Sequence, residues 1–196
     1  MSAAANYVNS VLKTDPDSRP VLCDGKLDQK IDVMILGHNP GFASPPLDSR
    51  FWDGESCDRQ AWLAAWNWGP ARSRIENKLI LALFGLRVIE CNLSHFRSKC
   101  YKGRDGLPPA KQKTEVFEKL IELLTPKLIV TFGSHARKHF DKDPANKGEF
   151  VTRTVRNVTL EVFLADHLIM GGAEFWQGDR FEQLGNRAQQ ICSEQQ

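Results

Sequence analysis

The run Ile31-Asp32-Val33-Met34-Ile35-Leu36-Gly37, with the turn His38-Asn39-Pro40-Gly41 behind it, decides how this chain is read. A short, nearly continuous apolar segment ending in glycine suits a strand buried on both faces, as in a parallel sheet covered by helices. RVIECNL (87–93) and KLIVTFG (127–133) repeat that form. Helical patterns lie between them. Ser56 is placed to cap a helix over CDRQAWLAAW, with Trp62 and Trp66 sharing a face. Pro70 suits the first turn of a second helix, in which Ile75, Leu79, Ala82 and Leu83 recur until Gly85. Thr114 to Leu124 collects Val116, Phe117, Leu120, Ile121 and Leu124 on one side before Pro126.

Further along, Ser134 is placed to cap a short helix through Phe140. The alternation in EFVTRTVRNVTLEVFLAD predicts two strands around Arg156-Asn157, the second running to about Ala165. Phe181, Leu184, Ala188 and Ile191 mark a closing amphipathic helix. Strands alternating with helices predict an α/β fold: a three-layer sandwich with a central, mostly parallel sheet of about four strands, over residues 31–196. Residues 1–30 read as a loose or helical lead-in.

The chain has 196 residues, of which 41% are apolar and 26% charged, which suits one globular domain with a sizeable core. Its longest apolar run, Leu79 to Leu86, is far short of the ~20 residues that cross a bilayer, so no membrane association is expected. The opening residues show no secretory pattern, and the expected location is the cytoplasm, or the nucleus in a eukaryote. Five cysteines without a C-x-x-C pair read as reduced thiols, not a disulfide framework or a zinc ribbon. Net charge is +2, so affinity for nucleic acid must come from local clusters such as Arg97, Lys99, Lys102 and Arg104.

In an open sheet of this kind, ligands bind beyond the carboxyl ends of the strands. Three expected strand ends carry polar residues that a core has no use for: GHNPG (37–41), Asn92 in CNLSHF, and Asp166-His167 in ADHLIMGG. The glycine spacing fits neither a P-loop nor a dinucleotide fingerprint, and no G-x-S-x-G elbow is present. His135 and His139 lie four apart and could supply half a metal site, but without further ligands they read as surface or cap residues. Trp62, Trp66 and Trp68 read as packing residues.

The strand with GHNPG, followed closely by RFW (50–52), resembles the first motif of the uracil-DNA glycosylase superfamily, nearest the mismatch-specific uracil and thymine-DNA glycosylase branch, whose motif is G-x-N-P-G. ECNLSHF resembles its second strand, ending in an asparagine that reads a pyrimidine edge, and TPKLIVTFGSHA resembles its helix-strand-glycine-helix unit. ADHLIMGG stands where that superfamily carries a histidine loop, with Leu168 and Ile169 in place of the usual proline and serine.

The resemblance implies hydrolysis of the N-glycosidic bond of uracil or a related deaminated base, flipped out of DNA. Asn39 would orient the water and His167 would stabilise the departing base. Gly37, His38, Pro40, Gly41 and Asn92 would line the base pocket, with Phe42 or Phe51 stacking on the base. Ser44, Ser134, Arg97 and Lys99 would hold phosphates, and Leu168, Ile169 or Met170 would fill the gap in the duplex. It further implies a monomer acting on DNA that contains a damaged base, with no cofactor and no metal; the paired cysteines of the iron–sulfur branches are missing. The alternative is a non-catalytic nucleic-acid-binding protein on the same scaffold.

Overall fold

The computed structural model describes residues 1–28, 30–38, 44–66, 79–96, 114–166 and 175–194. Its sheet has seven strands: β1 (Val21–Lys26), β2 (Val33–Gly37), β3 (Ser56–Asp58), β4 (Val88–Asn92), β5 (Leu128–Thr131), β6 (Phe150–Val155) and β7 (Val158–Phe163). The spatial order is β3-β1-β4-β2-β5-β7-β6. The four inner strands, β4, β2, β5 and β7, run parallel, while β1, β3 and β6 add antiparallel edges. The sheet is therefore mixed and larger than the expected four strands. β6 closes the predicted hairpin, whose turn residues Arg156 (φ 45°) and Asn157 (φ 69°) take the left-handed conformation of a type I′ turn.

The helices are α1 (Ala3–Thr14), α2 (Arg59–Ala65), α3 (Glu115–Leu124), α4 (Ser134–Phe140) and α5 (Arg180–Ser193). Alternation along each inner strand sends its side chains to two separate cores. Met34, Leu36, Ile89, Cys91, Ile129 and Val162 face one side, where they meet Val8 of α1, Trp62 of α2, Phe117, Leu120 and Ile121 of α3, and Ala136 of α4. Val33, Ile35, Leu128, Val130 and Phe163 face the other, against Leu79, Leu83 and the Leu184-Ala188-Ile191 stripe of α5. Each fully buried aliphatic side chain contributes on the order of 2 kcal/mol relative to exposure, which is why β2 carries no polar residue between Val33 and Leu36. Among the described residues no helix is long and apolar enough to cross a membrane.

Several local expectations shift. Residues 1–30, expected as a loose or helical lead-in, are helical over α1, which buries Ala4, Ala5, Val8 and Val11, and also supply β1, which pairs with both β3 and β4. Ser56 lies in β3, and α2 is capped two residues later by Asp58, whose Oδ1 accepts the Ala61 N–H at 2.8 Å. Ser134 is the first residue of α4 rather than its cap, which is Gly133 at φ 111°. The final strand stops at Phe163. Trp62 and Trp66 do share a face, with ring centroids 5.0 Å apart. The predicted start of the second helix at Pro70 and the residue Trp68 lie outside the described residues. Its end is as expected: Leu79 and Leu83 are buried and Gly85 turns away at φ 84°. One buried ion pair, Arg59 to Glu90 at 2.6 Å, ties α2 to β4.

Helix α5 approaches the 79–83 segment at Gly185, where an added Cβ would stand 2.5 Å from the Ala82 carbonyl oxygen. Alanine normally favours a helix interior over glycine by roughly 1 kcal/mol. Here the sign reverses: Gly185→Ala lowers unfolding free energy by roughly 1–3 kcal/mol, read as a lower urea midpoint at unchanged slope.

Candidate functional site at the carboxyl ends of the parallel strands

In the order of their appearance along the chain, the inner parallel strands are arranged second, first, third, fourth. The chain leaves β2 toward β4 on one side and later returns to β5 on the other, which opens a crevice beyond their carboxyl ends. The chain leaves the sheet at this end after Gly37, Asn92, Thr131 and Phe163.

Gly37 and Asn92 are register partners. The pairing extends past both strands, with Leu93 N–H donating to the Gly37 carbonyl and Ser94 N–H to the His38 carbonyl, each at 3.0 Å. The Asn92 side chain is buried, and its Oδ1 lies across Gly37 so closely that a Cβ there would be 2.6 Å away. Only glycine at 37 lets the amide occupy that place. On the opposite flank the Phe132 N–H donates to the Leu36 carbonyl at 2.7 Å, which carries β5 into the same crevice.

His38 is half-buried, and its ring stacks on that of His135 from the first turn of α4, with centroids 4.4 Å apart and planes within 13°. Burial, and second the facing His135, hold the His38 imidazole below the ordinary histidine value, so it is neutral near pH 7. His135 was read from the sequence as a surface or cap residue. Nothing in its local pattern pointed to the partner, which comes from a different strand end. His139 turns elsewhere: its ring meets Phe117 edge-on at 5.7 Å, so the two histidines do not form half a metal site. Among the described residues no three histidine, cysteine or carboxylate groups converge on a point suited to a metal ion.

The fourth strand end is anchored by Thr131, which sequence reasoning did not single out, and by Asp166, which it did. Thr131 Oγ1 accepts the Ala165 N–H at 2.7 Å and lies 3.0 Å from the Ala165 carbonyl and 3.2 Å from that of Phe163. The Asp166 carboxylate takes Arg137 Nε at 3.3 Å and Lys147 Nζ at 2.9 Å, and its carbonyl takes the Trp176 indole N–H at 2.8 Å. The chain is thus pinned at the residue preceding His167, and the Asp166 carboxylate is engaged by two cations.

Gly37, His38 and Asn92 are therefore brought together, with exposed Ser134 nearby at the start of α4. Two expected residues belong elsewhere. Phe51 is 5% exposed within the larger core, beside edge strand β3, with the Arg50 guanidinium 4.9 Å over its ring; it packs and offers no free face to a base. Ser44 is 1% exposed, so its hydroxyl does not face a solvent-borne phosphate. Asn39, Pro40, Gly41, Phe42, Arg97, Lys99, His167, Leu168, Ile169 and Met170 lie outside the described residues.

A histidine kept neutral by the fold makes the folded state prefer the deprotonated form. Its contribution is complete above the ordinary histidine value and is lost as pH falls through the lowered one. Wild-type protein accordingly loses urea resistance between pH 7.5 and 5 more steeply than His38→Phe, which keeps a ring on His135 without a titrating group. Compared with known proteins, the chain matches no family model, and no curated protein resembles it at a significant level.

Proposed function

We propose that the protein is a monofunctional DNA glycosylase, hydrolysing the N-glycosidic bond of uracil or a related deaminated base after the nucleotide is flipped from DNA. The observation that carries the reading is the Asn92 amide, buried at a strand end and held against Gly37 beside a neutral His38. A planar amide presents one donor and one acceptor, the complement of a pyrimidine edge.

The roles are those that the resemblance implies for these positions. Asn39, two residues beyond Gly37, orients a water toward the sugar carbon; an amide positions water without accepting its proton. As the bond breaks, positive charge grows on the sugar and negative charge on the base. His167 donates a hydrogen bond to the base oxygen that collects this charge, an electrostatic contribution of roughly 3–4 kcal/mol in comparable sites. Phe42 stacks on the base, Ser134, Arg97 and Lys99 grip phosphates, and Leu168, Ile169 or Met170 fills the gap in the duplex. No cofactor or metal enters the reaction, and the partner is DNA bearing the damaged base, met by a monomer.

The reading is tested with single-lesion oligonucleotides carrying uracil, guanine-paired thymine, hypoxanthine or xanthine, incubated with the protein and then heated in alkali. Strand breaks at a lesion are expected. Asn39→Ala and His167→Ala each slow them on the order of 100-fold or more at unchanged circular dichroism. Gly37→Ala, whose methyl displaces the Asn92 amide, slows excision while leaving salt-sensitive DNA binding in place. Salt-sensitive binding without breaks at any lesion replaces the enzyme with a binding module, and wild-type rates in both of the first variants remove the role assignments.

A further inference from the structure

A second chemical feature sits at the far edge of the sheet, away from the strand-end crevice. The β1–β3 register sets Gly25 opposite Cys57 and Asp24 opposite Asp58. Cys23, two residues before Gly25, therefore shares a face with Cys57 on the diagonal between the strands. Both are free thiols, 1% and 4% exposed, in the same core cluster. The Cys23 thiol donates to the carbonyl of Gly25, the residue set opposite Cys57, at 3.5 Å. Cys91, by contrast, donates to the Pro20 carbonyl at 3.1 Å, deep in the core, where burial pushes its thiol up to about 12.

Cys57 also lines a solvent-facing cleft of about 340 Å³, walled by Trp52, Asp24, Arg50 and Arg59. Of the two cysteines, Cys57 borders this cleft and Cys23 is not among its walls. The two thiols differ in character. The Cys23 hydrogen bond holds Cys57 below the ordinary cysteine value, against the opposing effect of burial, with Arg19 assisting and Asp24 opposing. The same hydrogen bond, then burial, pushes Cys23 up. Two thiols on one face of neighbouring strands, the one beside a cleft easier to ionise than the other, suit the roles of an attacking and a resolving cysteine.

We propose that Cys23 and Cys57 form an oxidisable dithiol whose substrate is a small hydroperoxide and whose product is a disulfide joining β1 to β3. In the first step the Cys57 thiolate attacks the distal peroxide oxygen. An S–O bond forms and the O–O bond breaks, leaving Cys57 as a sulfenic acid and releasing hydroxide or alkoxide, which takes up a proton. In the second step the Cys23 sulfur attacks the Cys57 sulfur, forming the S–S bond. The S–O bond breaks and the hydroxyl leaves as water with the Cys23 proton. The pair gives up two electrons, and the peroxide is reduced to water and an alcohol, or to two waters when it is hydrogen peroxide. The placement of β3, three residues long and at the sheet's outer edge, lets its backbone shift as the sulfurs close to bonding distance. This inference does not depend on the glycosylase reading.

The test treats the full chain with substoichiometric hydrogen peroxide, alkylates the remaining thiols and maps them by peptide mass spectrometry. The expected result is a Cys23–Cys57 cross-linked peptide that forms before Cys91, Cys100 or Cys192 is modified, with loss of two free thiols and full recovery on adding dithiothreitol. Cys23→Ser, or Cys23→Ala if the serine variant melts early, is expected to stop at a Cys57 sulfenic acid that a 1,3-dione probe traps. Oxidation that begins at any other cysteine overturns the proposal. So does a wild-type Cys57 sulfenic acid that accumulates without the cross-link.

Discussion

Strand β2 is held by two parallel neighbours at once, and the geometry at its end follows from that double constraint. Val33 to Leu36 are in register with both β4 and β5, with Val33 and Ile35 packed into one core and Met34 and Leu36 into the other. A slip of one residue would exchange the two faces and break two ladders together, so the register is strongly specified. Gly37 must then meet Asn92, and the chain beyond must start from the His38–Ser94 hydrogen bond. The strand-end residues thus continue directly from the doubly paired centre of the sheet, a placement that suits a preorganised site.

Three described polar groups near that crevice, Asn92, His38 and Asp166, are neutral or already engaged. Asn92 offers an amide, His38 an imidazole kept uncharged by burial, and Asp166 a carboxylate already engaged by Arg137 and Lys147. Such an assembly suits binding and orienting a neutral heterocycle better than abstracting a proton, for which a carboxylate or an imidazole with an ordinary pKa is the usual tool. In the proposed reaction the difficulty is charge separation during bond breaking, and fixed dipoles at well-defined positions meet that need. The thiol pair at the opposite edge has the contrary character: its chemistry depends on one group being easier to ionise than its neighbour.

Much of the architecture was legible because periodicity is a local property. The apolar runs at 31–37, 87–93 and 127–133 became β2, β4 and β5, and the Arg156-Asn157 pair became the hairpin turn through its positive φ angles. The Phe117-Leu120-Ile121-Leu124 stripe buried itself as its spacing demanded. β1 and β3 were missed for a physical reason. β1 is apolar only over Val21 to Cys23 and β3 has three residues, so their strand conformation comes from the neighbours they pair with rather than from their own pattern. The Gly37–Asn92 juxtaposition was anticipated from strand ends that share a sheet, whereas Phe51 and Ser44 were assigned by nearness in sequence to the GHNPG turn and proved to be buried.

The amino-acid sequence alone determined that alternating apolar and amphipathic segments would build an α/β sandwich and that polar residues would collect at its strand ends, because both consequences follow from side-chain spacing along short stretches. Tertiary structure alone decided that the sheet has seven strands, that His38 lies on His135, that Thr131 and Asp166 pin the last strand end, and that Cys23 meets Cys57. Each of these pairs residues from separate elements whose meeting depends on strand order and register, which no local pattern encodes.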